Sequence, residues 1–204
     1  MGRTTPGTVR PGGRTARTRE RVCAATLEEL ARHGYTGLTV EGVAERAGVH
    51  RTTVYRRWGG PEGLVVDALA LTGEDSWAPP DTGSLAGDLR GIAREVVDVY
   101  GDPVTGAAPR AFVTATFHSE RAREAMQALL VQRYERCEAA VARAVARGEL
   151  AAGVDAGALV RAVTAPLYLR LFLTGEPVDR ALADAAVAAA LAAAASGAFG
   201  PAAA

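Results

Sequence analysis

A chain of 204 residues with 49% hydrophobic and 23% charged side chains fits one or two ordinary soluble globular domains with a real core. Its 23 basic and 23 acidic residues give a formal net charge of +0, which excludes a uniformly basic nucleic-acid coat and a uniformly acidic solvating chain. The charge is unevenly spread: residues 1–60 hold 11 arginines against 5 acids, a net +6, and residues 61–204 hold 12 against 18, a net −6.

No lysine occurs, so every fixed cation is a guanidinium, able to grip phosphate or a guanine edge in bidentate fashion. A basic N-terminal module of this kind points to a polyanionic partner. Cys23 and Cys137 lie far apart in helix-patterned segments and read as buried core thiols of a reducing cytoplasm, not as a disulfide scaffold or a metal site. The N-terminus has no apolar signal region, and no stretch offers about 18 to 20 uninterrupted apolar residues. Neither secretion nor membrane spanning is expected, and the expected location is cytoplasmic.

Residues 1–13 are Gly, Pro, Thr and Arg without periodicity, a composition that reads as a flexible basic arm. Arg3, Arg10, Arg14 and Arg17 suit either a minor-groove arm or a solvated tail. From Thr15 a helical stripe (Val22, Ala25, Thr26, Leu30, Ala31) runs to Gly34, a residue suited to a left-handed C-cap. Thr39 stands as N-cap before Val40, Val43, Ala44 and Ala47, and Gly48-Val49 forms a tight break. In the next segment, His50 to Trp58, Val54 and Trp58 share an inner face while Arg51, Thr52, Thr53, Tyr55 and Arg56 point elsewhere. A short helix, a glycine turn and a polar helix make a helix-turn-helix pattern.

Pro61 restarts the chain, and Leu64, Val65, Ala68, Leu69 and Leu71 carry a helix to about Thr72, followed by the linker GEDSWAPPDTGS. Further helices are expected over Leu85–Tyr100, Arg110–His118 and Ala122–Arg147, with Ser119 placed to cap the last of these. Asp155 caps another, whose run from Leu159 to Leu173 is apolar nearly all round and carries Pro166, where a kink is expected. Asp179 caps an alanine-rich last helix to about Ala195. VTATF at 113–117 alternates like a strand but is too short to carry one, so the chain is expected to be all-α with about nine helices and no sheet.

The stretch from Leu38 to Trp58, LTVEGVAERAGVHRTTVYRRW, resembles the DNA-binding segment of the TetR family of bacterial regulators. Thr39, Val43-Ala44, Ala47-Gly48-Val49 and the Thr-Val-Tyr-Arg-Arg-Trp tail all stand where that family places such types. The resemblance implies that Thr39 contacts phosphate, that Tyr55 donates its hydroxyl to another, and that Arg56 or Arg57 reaches the backbone or an outer base. Independently, His50, Arg51, Thr52 and Thr53 occupy the N-terminal end of the polar helix, where short polar and arginine side chains reach base edges and the helix dipole favours phosphate. Arg51, Thr52 and Thr53 are the expected base readers. The family usually carries a lysine near the start of the fourth helix, and this chain has Gly60-Pro61-Glu62 there, which removes one usual phosphate contact.

RAVARGELAAGVD and APLYLRLFLTGEP resemble the C-terminal regulatory domain of one large TetR subgroup. The resemblance implies a homodimer through the last two helices, a palindromic double-stranded operator and a small-molecule effector of unknown identity. The expected division is an arm at 1–13, a helix-turn-helix domain at 14–62 and a regulatory and dimerisation domain at 63–204. Tyr100, Phe112, Thr116, Phe117 and His118, with Met126, Tyr134, Tyr168 and Phe172, are the larger or polar-tipped residues from which an effector pocket is expected. Arg170, in an otherwise apolar helix, either pairs with an acid or binds an anionic ligand group.

His33, His50 and His118 are scattered, no metal-ligand or nucleophile spacing occurs, and no glycine-rich loop follows a strand, so no catalytic, metal or cofactor site is expected. The function expected is a sequence-specific transcriptional regulator, a repressor released by an effector. An effector-independent architectural DNA-binding protein and a helical enzyme with an accessory DNA-binding module are the alternatives.

Overall fold

Capping chemistry sets most of the helix boundaries in the computed structural model, which describes residues 13–73 and 77–200. The expected arm lies almost wholly outside the described residues. Nine α-helices and no strand occur among those described: α1 Gly13–His33, α2 Val40–Ala47, α3 Arg51–Trp58, α4 Pro61–Gly73, α5 Leu85–Gly101, α6 Ala107–His118, α7 Glu120–Ala146, α8 Ala156–Leu169 and α9 Arg180–Ala195. Thr39, Ser119, Asp155 and Asp179 each accept a backbone N–H of the first turn that has no intrahelical acceptor, as does Ser84 ahead of α5. The 113–117 stretch is helical, within α6.

α8 continues through Pro166 to Leu169, and the departure from α geometry comes beyond it, in a π-helical turn over Arg170–Thr174 that Gly175 closes at φ 69°. Arg170 takes the structural option: its Nε lies 2.9 Å from Glu176 Oε2, and Nη1 donates to the Pro177 carbonyl. The stretch Ala156–Thr174 is long and apolar enough to cross a membrane by length and composition alone. It carries Arg161 and Arg170 and packs between α7, α5 and α9.

Two apolar cores result. The first gathers α1 to α4 with Ala111, Phe112 and Ala115 of α6 and Ala122 of α7. The second gathers α5, the C-terminal half of α7, α8 and α9. At 27 residues α7 is about 40 Å long, and it serves both: Met126 and Leu129 pack on the first core, Cys137, Val141 and Ala144 in the second. α4 belongs to the first core through Leu64, Val65, Ala68 and Leu69, so the helix-turn-helix unit is built on a helix that also touches α6 and α7.

Both cysteines are buried. Burial, with the Asp67 charge behind it, pushes the Cys23 thiol up to about 12, and burial pushes Cys137 up to about 11, so neither is a thiolate near neutrality. Ala31 of the expected stripe is exposed, while Glu29 is buried, its Oε1 taking Arg46 Nε of α2 at 2.6 Å. A partnered carboxylate, not Ala31, thus completes the buried side of α1.

Candidate nucleic-acid interface and effector cavity

The turn between α2 and α3 is fixed from both sides. Gly48 sits at φ 61° and ψ 41°, its N–H and that of Val49 closing the end of α2, and a Cβ there would meet Arg21 Nη2 at 2.8 Å. Arg21, from α1, donates to the Ala47 and Gly48 carbonyls and so holds the turn against the first helix. Arg46 adds a second tie, reaching Glu28 and Glu29 of α1.

α3 buries Val54 and Trp58 and exposes most of the rest. Trp58 Nε1 donates to Asp67 Oδ2 of α4 at 2.8 Å. Arg19 Nε of α1 donates to Oδ1 of that carboxylate at 2.8 Å, and the Cys23 thiol lies 3.6 Å from Oδ2. One carboxylate on α4 thus pins α1 and the inner face of α3 together.

Of the residues expected to face DNA, Thr39 caps α2, its Oγ1 taking the Gly42 N–H at 3.1 Å. His50 caps α3: its Nδ1 takes the Thr52 N–H and lies 2.8 Å from Thr52 Oγ1. Arg51 and Arg56 are exposed and make no side-chain hydrogen bond or ion pair among the described residues; Thr53 is half-buried. Tyr55 is exposed, and its hydroxyl donates to Glu41 Oε1 at 3.2 Å, a bond that raises its pKa. Arg57 is exposed too, but it lies back along α3: it donates to the Thr15 carbonyl and lies 4.9 Å over the Trp58 ring. Thr39, His50, Arg51, Thr52, Tyr55 and Arg56 therefore share the exposed side of one helix pair.

Between the two cores lies a cavity of about 230 Å³. Leu69, Phe112, Met126 and Leu129 supply its wall from the first core; Trp77, Tyr100, Tyr134 and Tyr168 supply the wall from the second. Of the residues expected in a pocket, Tyr100, Phe112, Met126, Tyr134 and Tyr168 line it and four do not. Phe117 is 73% exposed, because it lies about 140° round α6 from the inward Phe112. His118 stacks on Tyr35 at 5.7 Å, Thr116 Oγ1 donates to the Val113 carbonyl, and Phe172 packs edge-on against Tyr100 at 5.6 Å without reaching the lumen.

Sequence reasoning missed Trp77, Glu95, Arg133 and Thr164 on the same lining. Glu95 Oε2 accepts from Trp77 Nε1 at 2.8 Å, Oε1 lies 3.7 Å from Arg133 Nη1, and the Arg133 guanidinium sits 4.8 Å from the Trp77 ring centroid. Burial raises the pKa of Tyr100, Tyr134 and Tyr168, so all three enter as neutral hydroxyls. No group of three or more His, Cys, Asp or Glu stands together as a metal site among the described residues.

A helix-turn-helix pinned to a helix that also walls a cavity defines the class: a DNA-binding transcriptional regulator. Residues 22–68 match the family model for bacterial regulatory proteins of the tetR family, and residues 79–190 match that for the tetracyclin repressor-like C-terminal domain. The transcriptional regulator AqdR of Rhodococcus erythropolis is 29% identical over 85% of this chain and 84% of its own. The DNA-binding transcriptional repressor TetR of Mycobacteroides abscessus is 31% identical over 78% and 83%. Among solved structures, the TetR family transcription regulator SCO0332 superposes with a TM-score of 0.67 at 29% identity, covering 86% of this chain and 97% of that one. This chain belongs to the TetR family.

Proposed function

We propose that the protein is a cytoplasmic, homodimeric repressor that binds a palindromic operator through α2 and α3 and leaves it when a small molecule fills the cavity between its cores. The observation that carries this reading is the double duty of α4. Its Asp67 holds Trp58 of α3, and its Leu69, two residues on, walls the cavity. A ligand that favours one setting of α4 shifts operator affinity by its differential affinity for the two settings and by no more. The working division is a DNA-binding unit at 14–62 and a regulatory unit at 63–204, with α4 crossing from one to the other.

The dimer surface proposed is the outer face of α8 and α9. Ala165 and Leu169 on α8 and Ala181, Ala185, Ala188, Ala189 and Ala192 on α9 are exposed, a small-residue surface that lets helix axes approach closely. Arg51, Thr52 and Thr53 are proposed to read bases from the start of α3, with Thr39, His50, Tyr55 and Arg56 on phosphates; Tyr55 exchanges Glu41 for a phosphate oxygen. Arg57 is assigned to holding α3 on α1.

Two variants test these roles against each other. Arg51→Ala is expected to lose about 1–3 kcal/mol on the operator and far less on scrambled duplex, whereas Tyr55→Phe weakens both alike, about threefold. Anisotropy titration of labelled duplexes measures both; an equal loss on the two duplexes for Arg51→Ala moves that side chain from base to phosphate.

A further inference from the structure

The cavity's chemistry narrows its ligand. At about 230 Å³ it is smaller than the roughly 300–1,000 Å³ common for drug-sized ligands, which limits the occupant to a compact molecule. Its walls differ. The side belonging to the first core, Leu69, Phe112, Met126 and Leu129, is wholly apolar, and the opposite side concentrates the polar atoms.

Among the described residues those polar atoms carry no spare charge. Among the described residues, Glu95 and Arg133 are the charged side chains on the lining, and each is occupied by the other and by Trp77. A ligand carboxylate has to displace Glu95 from Arg133, and a ligand ammonium has to displace Arg133 from Glu95. Either exchange strands a charge of the protein in a half-buried site.

Hydroxyls, by contrast, are on offer. Tyr100 and Tyr168 meet edge to face at 5.7 Å between centroids, and both line the cavity. Each neutral phenol carries one O–H donor and two lone pairs. Thr164 Oγ1 already donates to the Val160 carbonyl, so it can only accept. The aromatic rings of Trp77, Tyr100, Phe112 and Tyr168, with the Met126 thioether, offer edge and face contacts that favour a flat ring over an aliphatic one of equal size.

Resting on the reading of this cavity as the effector site, we propose that its ligand is an uncharged, flat aromatic compound of one or two fused rings with a single hydroxyl or carbonyl group. The polar group sits at the Tyr100–Tyr168 hydroxyl pair, and the far ring edge lies against Leu69, Phe112 and Met126.

Calorimetric titration of the full-length protein near neutral pH with 2-naphthol, 2-naphthoate, naphthalene and cyclohexanol tests this directly. 2-Naphthol is expected to bind about tenfold or more tighter than each of the other three. Tyr100→Phe and Tyr168→Phe, which keep the rings and the packing, are expected to weaken 2-naphthol about five- to tenfold and to leave naphthalene within about twofold. Equal or tighter binding of 2-naphthoate or cyclohexanol, no binding of 2-naphthol to the wild-type protein, or 2-naphthol affinity indifferent to both tyrosine variants each overturns the proposal.

Operator anisotropy with the same compounds separates this failure from that of the effector reading. Tyrosine-dependent binding of 2-naphthol without operator release upholds the ligand class and contradicts the effector role. Release by a charged or aliphatic compound that binds in preference to 2-naphthol overturns the ligand class and leaves the effector role standing.

Discussion

Asp67→Ala is expected to destabilise the protein by about 2–4 kcal/mol and to weaken operator and scrambled duplex together, although Asp67 lies on no DNA-facing surface. The carboxylate receives Trp58 Nε1 and Arg19 Nε, both at 2.8 Å, and the Cys23 thiol at 3.6 Å. Trp58 is 6% exposed, so its indole N–H has little water to turn to when the acceptor goes, and a stranded buried donor costs about 1–3 kcal/mol. Loss of the charge-assisted bond to Arg19 adds less, since that pair is about one-quarter exposed. Freed from α4, the inner face of α3 loses its fixed angle, and every contact made by the outer face suffers at once. Urea unfolding and anisotropy on two duplexes measure the two effects. Asp67→Asn, which keeps an acceptor but brings an amide donor against two donors, should fall between. Unchanged stability and affinity in Asp67→Ala would contradict the pinning role.

A single arginine on the outer face of α9 is expected to have the larger effect on DNA binding. Ala188 is exposed while Ala183, Ala186, Val187 and Ala190 of the same helix are buried, so Ala188→Arg leaves the subunit's own core untouched. In a dimer packed through α8 and α9 the new guanidinium is forced into a close, small-residue interface without an acid partner, a penalty of several kcal/mol. The expected result is a folded monomer by sedimentation, with unchanged helical circular dichroism. Its operator affinity should fall about 100-fold or more, because a monomer grips one half-site. A variant that stays dimeric places the interface on another face of the molecule.

Local chemistry was legible in the sequence. The caps Thr39, Ser119, Asp155 and Asp179 are short polar side chains satisfying N–H groups a few residues away, and all four act as read. The helix-turn-helix was legible for the same reason: Val40, Val43, Ala44 and Ala47, then Val54 and Trp58, follow helical spacing, and all six are buried. What periodicity hides is where long polar side chains turn. Arg57 reads as a DNA contact, yet it folds back on Thr15 and Trp58; Tyr55 reads as a phosphate donor, yet Glu41 holds its hydroxyl here.

The cavity was half legible. Its aromatic members stand out as the rare large residues of an alanine-rich chain, but Glu95 and Arg133 look like the solvated side of amphipathic helices. Only the packing of α5 against α7 brings them to Trp77 of the linker. Asp67 was illegible for the same reason, its donors lying 48, 44 and 9 residues away.

Repression by this protein requires sequence-specific DNA binding by the exposed side of α2 and α3. Fluorescence anisotropy of the full chain against the duplex immediately upstream of its own gene and a scrambled duplex of equal composition, across a salt series, tests it most directly. The predicted result is a preference for the upstream duplex that persists at physiological salt, abolished by Arg51→Ala and Thr52→Ala together. Equal binding of both duplexes that salt erases, unchanged by those substitutions, would contradict it.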